Sequence, residues 1–85
     1  MTTLADEVLA TLCKIAPDVD PRTVDLATPL PDQLDLDSMD YQNLLAALST
    51  RYQIEIREPD VPDLRSIRDL VAYIEATRAR GHRTD

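Results

Sequence analysis

The chain is short of the residues from which most enzyme sites are built. It has one cysteine, Cys13, and one histidine, His82, among 85 residues. A lone cysteine excludes an intrachain disulfide and a cysteine-cluster zinc site. A lone histidine leaves metal catalysis and histidine acid–base chemistry almost no material. Gly81 is the sole glycine, so a glycine-rich oxyanion loop is excluded as well. No apolar run approaches the ~20 residues that cross a bilayer. The N-terminus has acidic Asp6 and Glu7 and lacks the basic lead of a secretory signal. These features lead us to expect a cytoplasmic protein. Eighty-five residues make one domain, with no separate catalytic lobe. A chain of this size buries only about 60–65% of the surface its unfolded form exposes, so the core is thin.

Charge is unevenly spread over a net −7. Residues 1–37 hold eight acids against Lys14 and Arg22, and residues 38–63 five against Arg51 and Arg57. Residues 64–85 reverse the balance, with five arginines against three acids. An acidic front repels nucleic acid and anionic membranes and attracts basic protein surfaces. The C-terminal arginines are too few, and too poor in aromatic neighbours, to overturn that. The same acidity also serves simple solubility, and charge alone does not choose between the two.

Three segments carry helical periodicity. In the first, roughly Thr3 to Ala16, Leu4, Val8, Leu12 and Ile15 fall within about 80° of one another at ~100° per residue. Thr3 is a suitable N-cap, Asp6 and Glu7 suit the helix dipole, and Pro17 closes the segment. The second, roughly Ser38 to Tyr52, has Tyr41, Leu44, Leu45, Leu48 and Tyr52 on one stripe. The third, roughly Ser66 to Ala79, presents Ile67, Leu70, Val71 and Ile74. There Ser66 with Asp69 reads as a capping box, and Gly81 lies just past the end. Leu12, Leu44, Leu48, Ile67, Leu70 and Ile74 are the expected centre of the core.

Between the first two helices runs a proline-rich stretch with Pro17, Pro21, Pro29 and Pro31. A structureless loop of about twenty residues is uncommon unless functional. Here Val19, Val24, Leu26, Leu30 and Leu34 recur and are expected to pin it across the bundle. The second connection, Gln53 to Arg65, has room for one helical turn near Asp60 to Leu64. Ile54 and Ile56 alternate as in a strand, but no second strand exists to pair with them. The expected fold is all-α: a small four-helix bundle of three main helices and one short one, with a long first loop. The ordered core is expected over about 3–79, with residues 80–85, including His82, as a tail.

The informative segment is Asp35-Leu36-Asp37-Ser38-Met39, where the loop meets the second helix. A helix N-terminus has unpaired N–H groups and a partial positive charge, and it receives a phosphate well. A serine hydroxyl there is exposed and esterifiable. Asp and Ser are also the commonest helix caps, and on these two residues alone capping is the simpler reading. Met39 lies about 160° around the helix from Tyr41, away from the core stripe. Ala46 shares that outer side, and Gln42 lies beside it. Either Met39 is exposed, suiting contact with changing partners, or it folds back on the preceding loop.

This segment resembles the phosphopantetheine attachment site of the acyl carrier proteins, usually a glycine, any residue, then Asp-Ser-Leu at the start of the second helix. The resemblance extends over nearly the whole chain. Leu30 and Leu34 precede the serine, and Leu44, Leu48, Tyr52 and Ile56 follow it, at the family's spacings. It implies that a phosphopantetheinyl transferase attaches 4′-phosphopantetheine from coenzyme A to the Ser38 hydroxyl. Asp37 then matches the family acid that helps hold magnesium at that step. The cargo would be an acyl or aminoacyl group held as a thioester, and the carrier itself would catalyse nothing. Its partners would be the transferase and acyl-transferring or acyl-activating enzymes. Those enzymes would read Met39, Asp40, Gln42 and Ala46 on a monomer.

Two departures stand out. Asp35 replaces the family glycine, so either the turn needs no positive φ or an Asp tolerates it. Met39 replaces the usual leucine. Beyond Asp40 the second helix has no further acid and carries Arg51, whereas housekeeping fatty-acid carriers of the family it resembles are acidic along that helix. The departure implies a dedicated partner set in a specialised lipid, polyketide or related pathway. The rival reading is an unmodified bundle of the same kind, used only to dock proteins. A hydrolase with Ser38 as nucleophile lacks a partner base. Cys13, at the edge of the first stripe, reads as structural, and Tyr41 and Tyr52 read as core aromatics whose hydroxyls reach solvent. Asp32, Asp35, Asp37 and Asp40 lack the glycine turn and closing glutamate of a calcium loop.

Overall fold

Each long helix starts on a side chain that satisfies its own first turn. In the computed structural model, which describes residues 3–81, α1 runs Leu4–Ile15, α2 Leu30–Gln33, α3 Ser38–Tyr52 and α4 Ile67–Gly81, with a 3-10 turn at Glu58–Asp63. No strand occurs among the described residues. Thr3 Oγ1 accepts the Asp6 N–H at 3.1 Å, and the Asp6 carboxylate accepts the Thr3 N–H at 3.2 Å, a full capping box for α1. The expected box at α4 forms in the same way. Ser66 Oγ accepts from Asp69 N at 3.1 Å, and Asp69 Oδ2 accepts from Ser66 N at 3.2 Å. Two boundaries differ from the sequence reading. α4 continues to Gly81, so this glycine ends the helix from within, and the tail expected at residue 80 does not begin there. Residues 82–85, with His82, lie outside the described residues. The first connection also contains a helical turn, α2, that was not expected.

Eight side chains are almost wholly shielded from solvent: Val8, Leu12, Leu30, Leu44, Leu48, Ile67, Leu70 and Ile74. They include all six residues expected at the centre of the core. α1 packs against both α3 and α4. Polar contacts set their directions. The Tyr52 hydroxyl donates to Glu7 Oε1 at 2.7 Å, and Arg51 Nη1 donates to Thr11 Oγ1 at 3.3 Å, so α3 runs antiparallel to α1. The Arg51 and Arg78 guanidinium carbons each lie 5.6 Å from the Tyr52 ring centroid, which puts the ends of α3 and α4 side by side. Burial, reinforced by the bond to Glu7, pushes the Tyr52 hydroxyl up to about 12. This hydroxyl is therefore spent on α1 rather than on solvent.

The first connection is ordered by one amide. Gln33 Oε1 accepts the Asp25 N–H at 2.9 Å, while its Nε2 donates to the Asp25 and Thr28 carbonyls at 2.7 and 3.0 Å. Asp25 Oδ1 in turn accepts the Ala27 N–H, which holds this exposed carboxyl below its usual range. Two backbone bonds then fasten the loop to the start of α4: Leu30 N to Arg65 O at 2.7 Å and Arg68 N to Leu26 O at 2.9 Å. Leu30 and Val24 are the buried pins. Leu26 corrects the expectation: its side chain is 39% exposed, because its backbone carbonyl makes the attachment instead. At the other end of α3, Gln53 takes the left-handed conformation (φ 54°, ψ 48°) and turns the chain out of the helix. The Ser49 hydroxyl donates to the Ile54 carbonyl there, and Ile54 is buried. The expected turn near Asp60 to Leu64 appears as the 3-10 turn Glu58–Asp63.

Candidate functional site

Ser38 is the first residue of α3, immediately after the N-cap. Asp37 supplies the cap, its Oδ1 accepting the Asp40 N–H at 2.8 Å. The intrahelical ladder begins with Tyr41 N bonding to Asp37 O at 3.1 Å. The N–H groups of Ser38 and Met39 thus precede the ladder, at the positive end of the helix dipole. The Ser38 side chain is exposed. A hydroxyl in that position is accessible to a bulky reagent, and a phosphodiester formed there would sit against the free N–H groups. Among the described residues the only positive φ outside glycine is at Gln53. The turn at Asp35 therefore makes no demand that only a glycine would meet.

Met39 projects from the first turn with 69% of its surface exposed, so it does not fold back on the loop. The other three residues expected beside it divide into two groups. Gln42 and Ala46 are exposed and line a groove of about 600 Å³, whose further walls include Leu45, Ser49, Ile56, Val61 and Pro62. Asp40 is half-buried and turns the other way, into a depression of about 570 Å³ between the end of α1 and the first connection. Asp35, Asp18 and Asp20 share that depression. The four residues thus fall on two faces: the ~100° advance from Met39 to Asp40 turns Asp40 away from Gln42 and Ala46. A smaller depression of about 330 Å³ adjoins the first, sharing Val61 and Pro62, with Pro31, Tyr41 and Arg65 as its other walls.

Tyr41 departs from expectation. Its ring is half-buried as foreseen, but its hydroxyl is sealed from solvent and has no hydrogen-bond partner among the described residues. Burial, with the Asp69 carboxylate nearby, pushes it up to about 12. Residue periodicity gave no sign of this, because it places the ring on the core side without specifying what surrounds its hydroxyl. Cys13 is half-buried, its thiol donating to the Val19 carbonyl at 3.5 Å, as suits a structural residue. Among the described residues no group of three His, Cys, Asp or Glu is placed to hold a metal ion. None of the helices is long and apolar enough to cross a membrane.

Comparison with known proteins converges on one kind of relative. A family model described as the phosphopantetheine attachment site matches residues 6–74, a span that contains Ser38. An acyl carrier protein of Campylobacter concisus is 39% identical over 57 residues, covering 67% of this chain and 74% of that protein. An acyl carrier protein of Rhodococcus erythropolis is 29% identical over 79 residues, covering 89% and 87%. Among solved structures, the solution structure of a holo acyl carrier protein from Geobacter metallireducens superimposes with a TM-score of 0.78 at 21% identity. That alignment covers 95% of this chain and 92% of that one, and it speaks to the fold.

Proposed function

From this chain's membership of the acyl carrier protein family, we propose that Ser38 is the attachment point of the 4′-phosphopantetheine that such carriers bear. The observation that carries the assignment is the placement of Ser38: an exposed hydroxyl at the first position of a capped helix, inside the matched region. The residues around it suit the group. The N–H groups of Ser38 and Met39 at the start of α3 would receive the phosphate, and the grooves of about 330 and 600 Å³ along α3 would border the arm. When attached, the arm supplies a terminal thiol on which acyl groups are carried as thioesters.

The chain's own contribution is to present, orient and dock. During modification the Ser38 oxygen forms a new bond to the β-phosphorus of coenzyme A. The phosphoanhydride bond breaks, the nucleotide portion leaves, and the serine proton passes to a base on the transferase. Asp37 caps the helix start on which that attack takes place, its Oδ1 accepting from Asp40 N. Met39, standing out from the first turn, is the apolar contact offered to partners, with Gln42 and Ala46 along the groove below it. Asp40 meets partners from the adjoining acidic face, with Asp18, Asp20 and Asp35. The protein acts on no substrate by itself. It raises the local concentration of a tethered group at each enzyme it visits.

We assign it to a specialised lipid, polyketide or related pathway. After Asp40, α3 offers basic partners no further acid, and Arg51 on that helix is occupied with Thr11 and Glu7. The test is an intact mass after incubation with coenzyme A, magnesium and a transferase. Wild type gains one phosphopantetheine and Ser38→Ala gains none. Failure of wild type with several transferases, the native one included, would favour the unmodified docking module instead.

A further inference from the structure

Ser38 is reached from the first connection across a short bridge, residues 34–37, held between two polar anchors. At the far end Asp37 caps α3, its Oδ1 accepting from Asp40 N at 2.8 Å. At the near end Leu34 N donates to the Leu30 carbonyl at 2.8 Å and closes α2. Between the anchors Asp35 and Leu36 make no hydrogen bond to any described residue. Leu34 and Leu36 rest half-buried against the core, but apolar contact is non-directional and sets the course of a short segment only loosely. The bridge therefore starts wherever the end of α2 is placed.

α2 has four residues, and its N-cap Pro29 contributes no side-chain hydrogen bond. A helix this short does not hold itself. Buried Leu30 pins its first residue, and Leu30 N donates to Arg65 O at 2.7 Å. Gln33 fixes its last. Gln33 Oε1 accepts from Asp25 N at 2.9 Å, and Nε2 donates to the Asp25 and Thr28 carbonyls at 2.7 and 3.0 Å. Leu26, between those two residues, is tied in turn to Arg68 N through its carbonyl. Directional bonds thus run from the start of α4, through the Gln33 amide, to the residue from which the bridge departs. What the bridge carries is what a modifying enzyme meets beside Ser38. Asp35 and Asp37 are exposed, and Asp35 and Leu36 wall the depression of about 570 Å³ that Gln33 also lines.

Resting on the assignment of Ser38 as the attachment point, we propose that Gln33 is a positioning residue for that modification: its amide clamps the end of α2 to Asp25 and Thr28, and so holds the approach to Ser38 in the form the transferase binds. Gln33 touches no reacting atom. Without the clamp only a fraction of molecules presents the competent course, and the apparent affinity for the transferase falls by that fraction. Once bound, the bridge is held by the transferase and the chemical step keeps its rate.

The experiment measures phosphopantetheine transfer at varied carrier concentration, with saturating coenzyme A and magnesium, for wild type, Gln33→Met, Gln33→Glu and Thr3→Ala. Methionine keeps the length and apolar stem of Gln33 but neither polar atom. Glutamate keeps the acceptor for Asp25 N but turns an oxygen on the two carbonyls. Thr3→Ala removes the α1 capping box. Because α1 and α3 run antiparallel, it acts at the end of the bundle away from Ser38 and controls for lost stability. Both Gln33 variants should raise KM for the carrier about two- to tenfold, the range of one net hydrogen bond, with kcat unchanged. Thr3→Ala should lower the unfolding midpoint and leave KM alone. Amide hydrogen exchange on the unmodified proteins is the second readout: Asp25 N–H should be protected in wild type and exchange about twofold or more faster in Gln33→Met. A wild-type KM for Gln33→Met would overturn the proposal. So would an equal rise in Thr3→Ala, which would assign the effect to stability, or a loss in kcat with KM unchanged. An unprotected Asp25 N–H in wild type would overturn it too, since the clamp would then not form in solution. If no transferase loads wild type, the Ser38 assignment itself fails and the positioning role falls with it. The exchange measurement still reports separately on the clamp.

Discussion

Asp37 has two candidate roles at one position, and two substitutions separate them. Its Oδ1 accepts the Asp40 N–H at 2.8 Å, closing the first turn of α3. Asp37→Ala removes that acceptor, a change that costs about 1 kcal/mol at a typical N-cap and ~0.5–2 across hosts. The carboxylate also lies at the positive end of the α3 dipole, worth a further ~0.3–1 kcal/mol for an exposed charge at low salt. Asp37 is exposed, so the lower half of both ranges applies and the expected total is about 1 kcal/mol. In a domain of this size that lowers the midpoint by roughly 4–8 °C. Asp37→Asn keeps an equally good capping oxygen and loses only the charge, so its midpoint should stay within a few degrees of wild type and converge on it as salt is raised. The second assay is the rate of phosphopantetheine transfer to Ser38 for each variant. If the carboxylate takes part in modification, Asp37→Asn should be slowed by about 10–100-fold, the loss typical when an acid supporting a metal is removed. A wild-type transfer rate for the folded Asn variant would refute that role and leave Asp37 a cap alone. An unchanged midpoint for Asp37→Ala would refute the cap.

Two positions on α3 should behave in opposite ways. Leu48 is fully buried, so Leu48→Ala should cost on the order of 2–4 kcal/mol in chemical denaturation, a large share of a small domain's total. Met39→Ala should leave the midpoint nearly unmoved, because the side chain is 69% exposed, while slowing modification or acyl transfer. A sharp loss of stability with unaltered transfer would place Met39 in the core instead. At high pH, Tyr41 and Tyr52 are both pushed from 10.0 up to about 12, chiefly by burial. The folded state favours their neutral forms, so their contribution is complete below pH ~10 and is lost as pH climbs towards 12. Unfolding midpoints measured across that window should fall, and Tyr52→Phe should flatten part of the decline. A midpoint that is level up to pH 12 would contradict the burial of both hydroxyls.

Local pattern alone determined a good part of this molecule. The apolar spacing of α1, α3 and α4 named all six central core residues, because a helix repeats its buried face every three or four positions whatever it packs against. Caps are equally local: Thr3, Asp37 and Ser66 each bond an N–H three residues ahead. The exposed position of Ser38 followed from the same logic. The turn at Leu30–Gln33, the Gln33 amide that clamps Asp25 and Thr28, and the outward side chain of Leu26 did not follow. Leu30 and Leu26 are fastened by backbone groups of Arg65 and Arg68, more than thirty positions away, while the Gln33 clamp joins residues five and eight apart with no periodic pattern to announce it. Periodicity separates Asp40 from Gln42 and Ala46 around the helix, but the walls of their two depressions come from different connections, and those the helix alone does not specify. The Tyr41 hydroxyl is the sharpest case. A helical wheel places the ring towards the core. Whether the oxygen at its tip meets water, a partner or nothing is set by the segments packed around it, and only the tertiary packing decides that it is sealed without a partner among the described residues.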